Sequence, residues 1–172
     1  RMSTSLITLW TNNIIYDISQ IAISYDNVDR ELILKGRKWN MKAVKKFMYV
    51  FGPISSAYDF LTFFILFSLV GSTASVFQTG WFLESLATQI LIIHVIRTRK
   101  TPLLKSRASK WLVMSSLLCL FIGWIIPYTP LGSVFKFTPL SGHVLLAIIG
   151  LVVAYLLTVE LVKRKFYKNV DF

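Results

Sequence analysis

Asp17 lies inside an apolar stretch, one helical turn beyond Asn13. A charged side chain at membrane depth costs several kcal/mol, about 2.5–3.5 on insertion scales, and so marks a functional position by default. A spacing of four puts the carboxylate and the amide on one face of a helix. Gln20 and Ser24 continue the same stripe of oxygen ligands. Carboxylate and amide oxygens are what a hard cation such as Mg²⁺ or Ca²⁺ requires. No Lys or Arg lies within residues 6–24 to neutralise Asp17. A divalent cation can supply the missing charge; the other reading is an interhelical hydrogen-bond pair.

The remaining apolar stretches hold fewer candidates. Asp59 shares a helical face with Ser55 and Thr62, and reads first as structural. Glu84 lies only four residues past Gly80, close enough to the outer interface to be solvated. Gln89 is deeper and neutral, suited equally to hydrogen bonding and to ligation. Gln89, Glu84 and Asp59 therefore stand as weaker cation candidates behind Asn13 and Asp17. His94 is a lone histidine beside the Arg97-Thr-Arg99 run and reads as an interfacial residue with a satisfied ring. Glu160 precedes Lys163 and Arg164 and reads as one side of a helix-end ion pair.

These residues need a membrane scaffold. The chain is 55% hydrophobic over 172 residues, with a mean hydropathy of +0.61, which indicates a polytopic membrane protein. The net charge of +11 sits between the apolar stretches, so it reads as membrane orientation rather than nucleic-acid binding. The single cysteine, Cys119, can form no internal disulfide. No Gly-rich phosphate loop, His/Cys metal cluster or Ser/His/Asp arrangement is present in the sequence. The first apolar segment lacks a small-residue cleavage site and reads as a span rather than a signal peptide.

Five apolar segments are expected to be transmembrane helices, at about residues 6–24, 47–70, 81–96, 111–126 and 144–162. They are too long and continuous for barrel strands, so an all-α bundle is the expected fold. Asn40 is a candidate N-cap of the second helix, and Pro53 a candidate kink. Seven basic residues fall in 26–46, six in 97–110 and four in 163–168, against Arg1 and Lys136 elsewhere. This asymmetry assigns the loops 26–46 and 97–110 and the C-terminus to the cytoplasm. The N-terminus then lies outside, and with an odd number of spans a further upstream helix is expected. Residues 1–172 are read as one C-terminal membrane domain.

The run Thr11-Asn-Asn13-Ile-Ile-Tyr-Asp17-Ile-Ser-Gln20, followed by Ala22-Ile-Ser-Tyr-Asp26-Asn27-Val-Asp29, resembles the sixth transmembrane helix of bacterial magnesium-transporting P-type ATPases. Further resemblances follow in order: Arg37-Lys-Trp39-Asn40, Phe51-Gly-Pro-Ile-Ser-Ser56 with Asp59, Phe77-Gln-Thr-Gly-Trp81, and His94-Val-Ile-Arg97-Thr-Arg99. The resemblance covers essentially the whole chain. It implies the sixth to tenth helices of a pump in a bacterial inner membrane. The first five helices and the cytoplasmic domains, with the phosphorylated aspartate and the ATP site, would be the partners upstream. Carried over by position, Asn13 and Asp17 match the cation pair of the sixth helix. Tyr16 stands where calcium pumps carry a threonine ligand; this disfavours a calcium-type site and is compatible with Mg²⁺, which keeps several waters. The implied activity of the parent is ATP-driven Mg²⁺ import, with ATP acting only through the missing domains. The chain by itself is expected to have no ATPase activity, and its basic loops to meet anionic lipid. The rival readings are another cation pump, such as a proton pump, or an orphan membrane module that transports nothing.

Overall fold

The computed structural model describes residues 4–26, 41–70, 73–96 and 108–168. Helix α1 (Thr4–Gln20) tightens into a 3-10 turn over Ile21–Tyr25. Then come α2 (Met41–Val70), α3 (Ala74–Ile96) and α4 (Lys110–Ile125). A 3-10 turn at Ile126–Tyr128 and the short α5 (Pro130–Val134) lead to α6 (Gly142–Lys168). Pro127 and Pro130 sit in the first turns of their elements, where a missing N–H costs nothing. There is no strand among the described residues. Asn40, most of the loop 26–46 and residues 97–107 lie outside them.

Helix α3 is the centre of the bundle and packs against α1, α2, α4 and α6. It is apolar around most of its circumference, which is the pattern of a helix buried on all sides. Phe82, Leu83, Leu86 and Ile90 are fully buried and meet Leu66 of α2, Cys119 of α4 and Ile148 and Val152 of α6. Close approach is permitted by glycine: a Cβ on Gly80 would collide with Leu66, and one on Gly123 with Leu86. A second cluster joins Phe51, Val95, Tyr155, Val159 and Phe166.

The outer surface is apolar. Phe60, Phe64 and Phe67 of α2, Trp111 of α4 and Leu146 and Leu161 of α6 are exposed, whereas Thr8, Asn12, Thr62, Ser85 and Ser116 are buried. Apolar contact with lipid costs nothing, and small polar side chains let helices approach and bond to one another. Four helical stretches are long and apolar enough to cross a membrane: Lys45–Ser68, Ala74–Ile96, Lys110–Tyr128 and Gly142–Phe166. The chain is thus an all-helical, multi-pass membrane protein. Helix α1, with 17 residues, is shorter than these.

Several boundaries differ from those expected. The predicted link at 71–80 is helical from Ala74. Its polar residues looked like loop, but other elements satisfy them. Thr79 Oγ1 donates to the Ser75 carbonyl at 2.7 Å and accepts from Thr138 N at 3.0 Å, while Gln78 bonds Thr8. Helices α2 and α6 also run past the apolar limits, starting at Met41 and ending at Lys168. Charge is no bar to helix beyond the hydrocarbon. Helix α2 continues through Pro53.

Contacts gather the described edges of the basic segments at one end of the bundle. Ser109 N donates to Asp26 Oδ1 at 2.7 Å, and the Ser109 hydroxyl caps α4 by accepting from Leu112 N at 3.2 Å. His94 Nε2 and Ser116 Oγ, 3.0 Å apart, join the adjacent ends of α3 and α4. The Lys46 ammonium lies 6.0 Å from the Phe166 ring centre, and Lys163 Nζ donates to the Val95 carbonyl at 2.9 Å. The expected ion pair at Glu160 is formed with both Lys163 and Arg164.

Candidate functional site

Asn13 and Asp17 are both exposed, on the edge of α1 that no described helix covers. The inward edge carries Thr8, Asn12 and Ser19, each about 1% exposed. Two adjacent asparagines thus point in different directions, since successive residues on an α-helix turn by about 100°. The interhelical hydrogen bond considered for Asn13 is made by its neighbour. Asn12 Nδ2 donates to Ser85 Oγ at 3.1 Å, and Gln89 Nε2 donates to the same oxygen at 2.9 Å. Asn12 Oδ1 is buried without a hydrogen-bond partner.

Helix α1 is held on two sides. Gln78 of α3 bonds Thr8 near one end, and Ser115 of α4 donates to the Ser19 carbonyl at 3.1 Å near the other. The helix thereby presents Asn13 and Asp17 outward. Gln20 is half-buried with its Nε2 unpartnered, and Ser24 is exposed in the 3-10 turn. The change of helix type ends the stripe of four oxygen residues before Ser24, because side chains in a 3-10 turn no longer recur at α-helical spacing.

Glu84 is not solvated. It is 1% exposed, and its Oε2 has no hydrogen-bond partner. It lies on the interior side of α3, one turn beyond Gly80, which abuts Leu66 of α2. Between α2 and α6, Ser55 and Tyr155 hydroxyls are 3.4 Å apart, Tyr58 and Thr158 hydroxyls 2.7 Å apart, and the two tyrosine rings meet edge to face at 5.4 Å. The sequence-predicted candidates therefore divide into three groups. Asn13 and Asp17 face outward from α1, Gln89 is engaged through Ser85 at the α1–α3 seam, and Glu84 and Asp59 belong to the α2–α3–α6 side.

The Asn13–Asp17 edge offers one carboxylate and one amide oxygen. That is a fragment of a hard-cation shell, of the size Mg²⁺ takes when it keeps most of its water. Among the described residues no three His, Cys, Asp or Glu side chains converge as a metal-binding group. Beside this edge, an apolar groove of about 1340 Å³ runs between the end of α1 and α4, lined by Ile18, Ile21, Trp111, Met114 and Phe121 among others.

Sequence reasoning placed Ser85 on one helical line with Gln89 but missed Asn12. The signal was present: Thr8, Asn12 and Ser19 recur at spacings of four and seven, a second polar stripe beside the first.

Residues 4–165 match the family described as "Cation transporting ATPase, C-terminus". The chain is 40% identical over 159 residues to the magnesium-transporting ATPase, P-type 1, of Salmonella typhimurium strain 14028s. It is 37% identical over the same length to the protein of that name from Escherichia coli K12. A further protein of that name, from S. typhimurium LT2, is 34% identical over 167 residues. These alignments cover 90–95% of this chain and 18% of each relative. The chain spans less than a fifth of the length of the curated relatives it matches.

Proposed function

We propose, because this chain belongs to the family of cation-transporting ATPase C-termini, that it is the membrane-embedded C-terminal part of a P-type Mg²⁺ importer of the bacterial inner membrane. The named relatives transport magnesium, and the Asn13–Asp17 pair fits that ion. The carrying observation is the division of α1 into two polar edges. One is bonded to α3; the other, with Asp17, is exposed among the apolar Leu9, Trp10, Ile14 and Ile18. A carboxylate is costly against lipid, whereas it is useful against a cation path formed with helices supplied by the rest of the pump. Asp17 supplies the charge and Asn13 a neutral oxygen. Helices α2 to α6 serve as scaffold.

In this reading α1 spans the membrane with the four longer stretches. The basic segments 26–46, 97–110 and 163–168 face the cytoplasm, where they meet anionic lipid headgroups and the domains that use ATP. The meeting of Asp26 with Ser109 and of Lys163 with Val95 at one end supports that arrangement.

The test is Asp17→Asn in the full-length pump. The variant should reach the membrane at normal levels and lose Mg²⁺-dependent growth rescue. Import with unchanged Mg²⁺ affinity would falsify the assignment.

A further inference from the structure

Ser85 Oγ accepts two hydrogen bonds, from Asn12 Nδ2 of α1 at 3.1 Å and from Gln89 Nε2 one turn along α3 at 2.9 Å. Asn12 and Ser85 are 1% and 4% exposed. A buried amide that loses its partner carries a desolvation cost, so this bond has a preferred partner and hence a preferred rotation of α1. Elsewhere on α1, Ile15 and Tyr16 pack against the apolar core. Apolar packing tolerates small rotations; a hydrogen bond between short side chains does not.

We propose that Asn12, Ser85 and Gln89 form a rotational key for α1, acting as positioning residues for the Asn13–Asp17 edge. This rests on the reading of Asp17 as a cation ligand. Gln89 holds the Ser85 oxygen from its own helix, and Ser85 then holds Asn12. Because Asn13 follows Asn12 directly, a rotation of α1 that lets Asn12 seek another partner carries Asn13 and Asp17 with it. The contacts Gln78–Thr8 and Ser115–Ser19 bracket the key above and below and hold the two ends of α1. The central bond, at the residue next to Asn13, adds to their hold on the rotation of α1 where the candidate ligands sit. Gln89 thus acts on the cation through Ser85 and Asn12, without ligating it.

Mg²⁺-dependent ATPase of the purified full-length pump tests the key, read as half-saturating Mg²⁺ and maximal rate separately. Ser85→Ala and Asn12→Ala should each raise half-saturating Mg²⁺ by about three- to tenfold, with a smaller change in maximal rate. Ser85→Thr keeps the oxygen and should restore the wild-type value. The double variant should be no worse than the poorer single one, because both remove the same bond. If Asp17→Asn shifts Mg²⁺ affinity while Ser85→Ala and Asn12→Ala do not, the key is overturned and the ligand reading survives. If Asp17→Asn shifts nothing, the ligand reading fails. The key is then judged on disulfide trapping between α1 and α4 through Ser19→Cys and Ser115→Cys. A lower yield on adding Asn12→Ala supports the key, and an unchanged yield overturns it.

Discussion

Lys163 Nζ lies 2.9 Å from the backbone carbonyl oxygen of Val95, and the lysine is fully buried. The carbonyl belongs to the last turn of α3, where backbone acceptors lack intrahelical partners. A cation there also complements the negative end of the helix dipole. The same ammonium pairs with Glu160 Oε2 at 2.6 Å, so charge balance is local. The last helix is thereby fastened to the central one.

Removing that cation should be costly. Lys163→Met keeps the stem but leaves a carbonyl uncapped and Glu160 with Arg164 alone. Breaking a buried pair from one side costs about 3–5 kcal/mol, and the partly exposed Glu160–Arg164 contact offsets a share of it. The expected result is a lower unfolding midpoint in detergent for the full-length pump. An unchanged midpoint would show that Lys163 is not a fastening.

Gly123 should resist enlargement. Its Cβ position is already occupied by the Leu86 side chain. Gly123→Val should destabilise the α3–α4 contact by about 1–3 kcal/mol. Adding Leu86→Ala to it should recover part of the loss. The measurement is thermal aggregation of the membrane-extracted protein, and additive losses in the double variant would contradict the packing argument.

Glu84 and Asp59 belong to the α2–α3–α6 side, apart from the outward edge of α1. Glu84→Gln and Asp59→Asn should therefore leave half-saturating Mg²⁺ within about twofold and act mainly on folding yield. Asn13→Ala should weaken affinity, but less than Asp17→Asn, because only a neutral ligand is lost. A large affinity change in Glu84→Gln would bring that residue into the cation path.

Sidedness can be read by labelling. A cysteine at position 100 should be protected from a membrane-impermeant reagent in intact cells, and one at position 75 should react. The reverse pattern would invert the bundle.

The 172 residues alone should release no phosphate from ATP. Vanadate-sensitive release above a blank would contradict the assignment of catalysis to upstream domains.

Composition and hydropathy determined the all-helical membrane class, because long apolar runs can satisfy their backbones in lipid only as helices. The Asn13–Asp17 spacing and the ion pairs of Glu160 with Lys163 and Arg164 were equally legible, each being local to one helix. The tertiary structure decided which polar residues face inward. Asn12 and Asn13 are chemically identical neighbours, and only packing against Ser85 separates a bonded one from an outward one. Position along the chain suggested solvent for Glu84, yet α3 is enclosed by four other helices and buries it. Burial depends on what surrounds a helix, and periodicity within one helix does not carry that information.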